Sequence, residues 1–159
     1  MDIDVKNESG VFKYRVIGVL IDEDDRLLIQ EIVGNDFYCL PGGRVELGES
    51  SEEAIAREMS EELGFEVNVE RAYFYLENFF KRKDGRTVHE VSLYFKITSK
   101  SAPKEDWELV ENDKGVLKTL KYKWVKISDL EKYDIRPPFI KEKLLNLSEN
   151  FEHIIIHED

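Results

Sequence analysis

Two runs of branched apolar residues set the pattern of the N-terminal part. Residues 14–21 (YRVIGVLI) and 26–33 (RLLIQEIV) are rich in Val, Ile and Leu and flank the turn-forming cluster Asp22-Glu23-Asp24-Asp25, which predicts a β-hairpin. Residues 37–40 read as a short strand running into a Pro41-Gly42-Gly43 turn, and a helix is expected from about Ser50 to Gly64. Beyond it, residues 65–80 (FEVNVERAYFYLENFF) are strand-like with a bend near Arg71-Ala72. Residues 88–98 (VHEVSLYFKIT) answer them in antiparallel fashion across a turn containing Asp84-Gly85. Residues 99–115 are polar and acidic without a clear period and read as a loop or weakly ordered insertion. Alternation returns over 120–127 (LKYKWVKI), a strand. After Pro137-Pro138, Ile140, Leu144 and Leu147 fall at helical spacing within 139–147, and 151–157 reads as a closing strand. Strands outnumber helices, and two amphipathic helices are available to cover both faces of a mixed, partly antiparallel sheet. The fold class is α/β (α+β), with no internal repeat.

The first helix carries the chemistry. Ser50 followed by Glu53 has capping-box spacing, and Gly64 stands where a left-handed residue ends a helix, leaving Phe65 to fold back on the last turn. Between them Glu58, Glu61 and Glu62 share one face, and like charges at that spacing destabilise a helix. This acidic stripe borders the apolar stripe of Ile55, Met59 and Leu63, while Arg57 lies round the cylinder and cannot neutralise three carboxylates. The positions four residues on are Glu62, Phe65 and Glu66, so the lysine or arginine partners of a solvated acidic helix are missing. A hard divalent cation with oxygen ligands turns the repulsion into coordination, and Mg²⁺ is the usual choice at phosphate sites. Upstream, Pro41-Gly42-Gly43 lets backbone approach a ligand closely.

Gly43, Glu49, Arg57, Glu58, Met59, Glu61, Glu62, Gly64 and Phe65 together resemble the Nudix box, with every defined place filled and no insertion. The resemblance implies a single domain over residues 1–159, built as an α/β/α sandwich. It implies a hydrolase that cleaves a nucleoside diphosphate linked to another group, a nucleoside triphosphate being the first candidate, with Mg²⁺ or Mn²⁺ as cofactor. By position in the box, Glu58 and Glu62 are the principal metal ligands, and Glu61 is a further ligand or the general base. The Gly42 carbonyl is an extra ligand, and Arg57 and Glu49 align the carboxylates. Two other readings stay open: a nucleotide-binding sensor without turnover, and a cation-dependent protein-interaction domain.

Composition narrows the partners. A chain of 159 residues with 42% hydrophobic and 36% charged residues suits one globular domain, and no apolar run reaches the length of a membrane span. The N-terminus MDIDVKNESG lacks the layout of a secretory signal, and Cys39 is the sole cysteine, so a reducing cytoplasm is expected. A net charge of −11 argues against long nucleic acid but not against a small nucleotide, whose charge metal and an arginine can meet locally. A homodimer stays open. Outside the box, Arg44 is a candidate contact for substrate phosphate or an exposed strand charge. Glu90, which interrupts an apolar strand, is a candidate ligand, base or substrate contact, or else a strand-end residue in water. His89 reads as a satisfied structural histidine, and the basic turn 81–86 as a solubilising hairpin tip. Cys39 reads as buried packing. Tyr38, Phe79 and Trp124 could stack on a base but read as core.

Overall fold

Val, Ile and aromatic residues in alternation place most of the chain in strands. The computed structural model describes residues 1–158, Asp113 through its backbone alone. In chain order the elements are β1 (Asp4–Lys6), β2 (Gly10–Leu20), β3 (Arg26–Ile32), β4 (Tyr38–Cys39), β5 (Gly42–Arg44), α1 (Ser51–Leu63), β6 (Asn68–Lys81), β7 (Thr87–Thr98), β8 (Trp107–Asp113), β9 (Val116–Lys126), a 3₁₀ turn (Ile127–Lys132), α2 (Ile140–Leu145) and β10 (Glu152–His157). One sheet runs β1-β2-β7-β6-β10, with β5 also pairing with β2. A second runs β4-β3-β9-β8. The first sheet is mixed: β2 is parallel to β7 and β6 to β10, while β6–β7, β1–β2 and β2–β5 are antiparallel.

The two helices cover opposite faces of the first sheet, as the α/β reading expects. On one face Val16, Leu20, Phe95 and Ile97 pack against Ala54, Ile55, Met59 and Leu63 of α1, which Leu28, Leu120, Tyr122 and Trp124 of the second sheet close from behind. Side chains alternate between faces along a strand, so Ile17, Val19, Phe74, Leu76 and Tyr94 point the other way. There they meet Leu130, Ile135 and the Ile140 and Leu144 of α2. The helix Gly64 ends therefore lies between two sheets, which fixes its rotation.

Four expectations are corrected. The runs 14–21 and 26–33 are not an extended hairpin: β2 and β3 belong to different sheets, and the ladder between the runs is one isolated antiparallel bridge, Ile21 to Leu27, just past the end of β2. Asp22 Oδ1 accepts from the Asp24 and Arg26 amides at 3.0 and 2.9 Å, turning the chain from one sheet to the other. The segment 99–115 contains β8, paired in register with β9 from Trp107 opposite Tyr122 to Asp113 opposite Val116. As an edge strand it shows Val110 and two glutamates to water, which erases the apolar signal. The Pro-Gly-Gly turn continues directly into strand β5, whose partner is β2. His89 is not satisfied: its Nε2 is buried without a hydrogen-bond partner and lies 3.9 Å from Glu77 Oε1, with Phe79 stacked on its ring. The bend near Arg71-Ala72 is present as register shifts at Val69/Arg71 and Ala72/Phe74.

Candidate active site

Capping places the acidic helix. Glu53 N–H donates to Ser50 Oγ at 3.2 Å and Ser50 N–H to Glu53 Oε2 at 2.8 Å, the reciprocal pair expected. Gly64 ends α1 at φ 74°, a left-handed conformation that glycine adopts without a Cβ penalty. Phe65 turns back into the α1 cluster and meets Trp107 edge-on at 5.8 Å.

Arg57 organises the acids. Its Nε and Nη2 donate to the two oxygens of Glu49 at 2.7 and 2.9 Å, and Nη2 also donates to the Arg44 carbonyl at 3.0 Å. Nη1 donates to Glu58 Oε1 at 2.9 Å and reaches Glu61 Oε2 at 3.4 Å. The arginine thus bonds three acids and lies 4.0 Å from a fourth, Glu46, more than its place on the helical wheel suggests. The fork on Glu49 holds that carboxyl down at about 2, with the Glu46 amide assisting.

Glycine makes room for Glu58. A Cβ at Gly43 would overlap the Glu58 carboxylate, so only a hydrogen there lets that group lie against the β5 backbone. Burial raises the Glu58 carboxyl pKa against the opposing pull of Arg57. Glu62 is deeper: its Oε2 is buried without a partner, and burial followed by the charge of Glu58 pushes its carboxyl up to about 8. Glu61 differs, with 63% of its side chain exposed against 15% for Glu58.

The backbone of β5 faces the same space. Gly18 N–H donates to the Pro41 carbonyl at 2.8 Å and Val45 N–H to the Tyr14 carbonyl at 3.0 Å. Opposite residues in an antiparallel ladder alternate between bonded and non-bonded pairs, so Pro41, Gly43 and Val45 turn toward β2. Gly42 and Arg44 turn their amides and carbonyls toward α1, as the bond from Arg57 to the Arg44 carbonyl demonstrates. The Gly42 backbone therefore faces Glu62, which feels the charge of Glu58, and Arg57 joins Glu58 to Glu61.

Among the described residues no three His, Cys, Asp or Glu side chains already stand as a closed metal-holding group. The donor set nonetheless fits a hard cation on two observations: an oxygen of Glu62 buried without a partner, and a glycine cradle shaped around Glu58.

Of the candidates outside the helix, Arg44 is paired with Asp4 at 2.8 Å and lies 3.7 Å from Asp2, at the β5 edge. Glu90 lies within β7, not at a strand end. It is opposite Lys13, accepts from Ser92 Oγ at 3.2 Å, and sits on the sheet face away from the α1 core. Arg82 and Arg86 of the basic turn both lie on Asp84, at 3.8 and 2.8 Å. Trp124 is core, and Phe79 stacks between His89 and His157 on the sheet. Cys39 is half-buried, and burial raises its thiol pKa. The residue that sequence reading passed over is Arg15, one strand from Arg44 and within electrostatic reach of Glu62. Its signal lies in the alternation: Lys13 and Arg15 interrupt a face of β2 that is otherwise Val11, Ile17 and Val19.

Comparison with known proteins adds to this geometry. The model of the NUDIX domain matches residues 11–144. A MutT-like protein from Streptomyces ambofaciens is 46% identical over 55 residues, 35% of this chain and 36% of that protein. An ADP-ribose pyrophosphatase from Methanocaldococcus jannaschii is 44% identical over 48 residues, 28% of each. These matches span about a third of the relatives' lengths or less. Among solved structures, the MutT protein from Bacillus halodurans superposes with a TM-score of 0.67 at 18% identity, covering 91% of this chain and 89% of that one. An ADP-ribose pyrophosphatase from Streptococcus suis gives 0.59 at 19% identity, covering 91% and 98%. At such identities the likeness is one of fold.

Proposed function

This chain belongs to the NUDIX domain family, and from that membership we propose that it hydrolyses the diphosphate bond of a nucleoside diphosphate linked to another group, with Mg²⁺ or Mn²⁺ as cofactor. One observation carries the reading. Glu58 is seated in the space left by the missing side chain of Gly43, next to a Glu62 oxygen that is buried and unpartnered.

Glu58 and Glu62 would hold the cation, with the Gly42 carbonyl as a further ligand. A cation held there would neutralise charge on the diphosphate oxygens and lower the pKa of a bound water. Arg57 keeps Glu58 aimed by gripping it together with Glu49, so that little reorganisation is needed when substrate arrives. Water attacks one phosphorus, forming an O–P bond as the bridging P–O bond breaks, and the electron pair leaves with the departing phosphate. Glu61 accepts the water proton, a role supported by its exposure to solvent and its long 3.4 Å contact with Arg57. Arg44, at the β5 edge, steers the incoming phosphates by exchanging its aspartate partners for them.

The test is a panel of nucleoside triphosphates, dinucleotides and nucleoside diphosphate sugars with Mg²⁺ or Mn²⁺, scored for released monophosphate or pyrophosphate. Turnover is expected, with Glu58→Gln and Glu62→Gln each lowering it by about 100-fold or more, on the scale of losing a main electrostatic stabiliser. Unchanged turnover in both variants overturns the site. Binding of the panel without turnover of any member supports a sensor instead.

A further inference from the structure

The face of the first sheet that does not carry α1 changes character along its length. Near Ile17, Tyr94 and Phe74 it is apolar and covered by α2. Toward the other end, register brings a polar row across three strands: Arg15 lies beside Ser92, and Lys13 beside Glu90, which pairs in turn with Asn78. Side-chain alternation puts all five on one face.

Several of these groups lack what their chemistry requires. Asn78 is 2% exposed and its Nδ2 donates to Glu158 Oε2 at 2.8 Å, yet its Oδ1 is buried with no partner. Ser92, wholly buried, gives its hydroxyl to Glu90 Oε1 at 3.2 Å, leaving the second Glu90 oxygen as an acceptor. Arg15 is half-buried and makes no hydrogen bond or ion pair among the described residues, whereas Arg44 beside it is held by Asp4. A buried acceptor without a donor and a part-buried cation without an anion each cost free energy unless a ligand answers them.

We propose that Arg15, Lys13, Glu90, Ser92 and Asn78 form a subsite for a sugar phosphate, making the substrate of the site proposed above a nucleoside diphosphate sugar. Arg15 takes the phosphate with its planar fork. Glu90 and Asn78 Oδ1 accept from sugar hydroxyls, a use of carboxylate familiar from ribose recognition. A triphosphate tail offers no hydroxyl donors and meets the negative charges of Glu90 and Glu158. An isolated base would leave Arg15 unanswered. Arg15 lies opposite Arg44 of β5, one residue from the Gly43 against which Glu58 rests, which sets the subsite at the β5 edge beside the acidic helix. The inference rests on the proposed hydrolysis for its meaning, but not for its test.

The experiment is calorimetric titration in metal-free buffer, with ribose 5-phosphate, inorganic phosphate, tripolyphosphate and adenosine monophosphate as probes. Ribose 5-phosphate is expected to bind at least tenfold more tightly than phosphate or tripolyphosphate. Arg15→Gln should weaken ribose 5-phosphate and phosphate alike. Glu90→Gln, which keeps shape and removes charge, should weaken ribose 5-phosphate severalfold and leave phosphate unchanged. Thermal unfolding of both variants checks that they are folded. The proposal falls if ribose 5-phosphate binds no better than phosphate or not at all, if either variant binds it like the parent, or if adenosine monophosphate shows the same affinity and dependence. Absence of turnover across the substrate panel defeats the hydrolytic reading alone. Equal turnover of triphosphates and diphosphate sugars defeats only the subsite.

Discussion

At the scale of single residues, the site depends on two positions that act on the helix carboxylates indirectly. Gly43 acts by absence, so Gly43→Ala is expected to displace the Glu58 carboxylate and lower turnover by about 10- to 100-fold, the usual effect of disturbing what orients a ligand. Steady-state kinetics alongside circular dichroism would separate that loss from misfolding. Glu49 acts through Arg57, and Glu49→Gln should cost roughly 1.5–3 kcal/mol at neutral pH, the range for hydrogen bonds to charged groups. Its carboxyl sits near 2 in the folded chain against an ordinary 4.5. The unfolded chain therefore binds the proton first as pH falls, and this contribution, full above 4.5, is lost as pH drops toward 2. Urea midpoints measured from pH 6 to pH 2.5 should show parent and Glu49→Gln converging; a constant gap would contradict the assignment. The box residues were legible because their chemistry is periodic and local. Arg15 and Asn78 were not, since a lone polar residue in an apolar strand declares neither its face nor its neighbours until the strands are paired.

Elements were readable where local rules act without competition. The helix α1 begins and ends where Ser50, Glu53 and Gly64 require, and β6 and β7 pair across Asp84-Gly85 as expected. Removal of the cap by Ser50→Ala should cost about 1 kcal/mol, measurable as a shift in denaturant midpoint with little change in slope. Elements whose existence depends on a distant partner were obscure. β1 and β5 are three residues each and exist because β2 is long enough to pair with both along one edge. β8 survives as an edge strand through Trp107, stacked on Tyr122 at a ring separation of 4.9 Å. The expected hairpin of β2 and β3 failed for a related reason: turn chemistry at Asp22 reports a reversal of the chain but not whether both arms stay in one sheet.

For the whole molecule, the two sheets are joined less by backbone than by the helix between them. α1 contributes Ala54, Ile55, Met59 and Leu63 to the cluster that binds both, while the flank bordering that stripe carries the carboxylates. Cation binding should therefore register as global stability. At a concentration of about 100 times Kd it adds about 2.7 kcal/mol, or roughly 5–10 °C in Tm for a chain of this size. Thermal scans with and without Mn²⁺ would measure it, and Glu62→Gln should abolish the increment. No helix among the described residues is long and apolar enough to cross a membrane. The division of labour between the two faces of the first sheet has a further consequence. Glu58 and Glu62 are anchored on one side, and Lys13, Glu90 and Asn78 project from the other, so exchanges at these three positions leave the reactive helix untouched, whereas Arg15 reaches toward Glu62. Laboratory evolution of a new preference should therefore begin at positions 13, 78, 90 and 92.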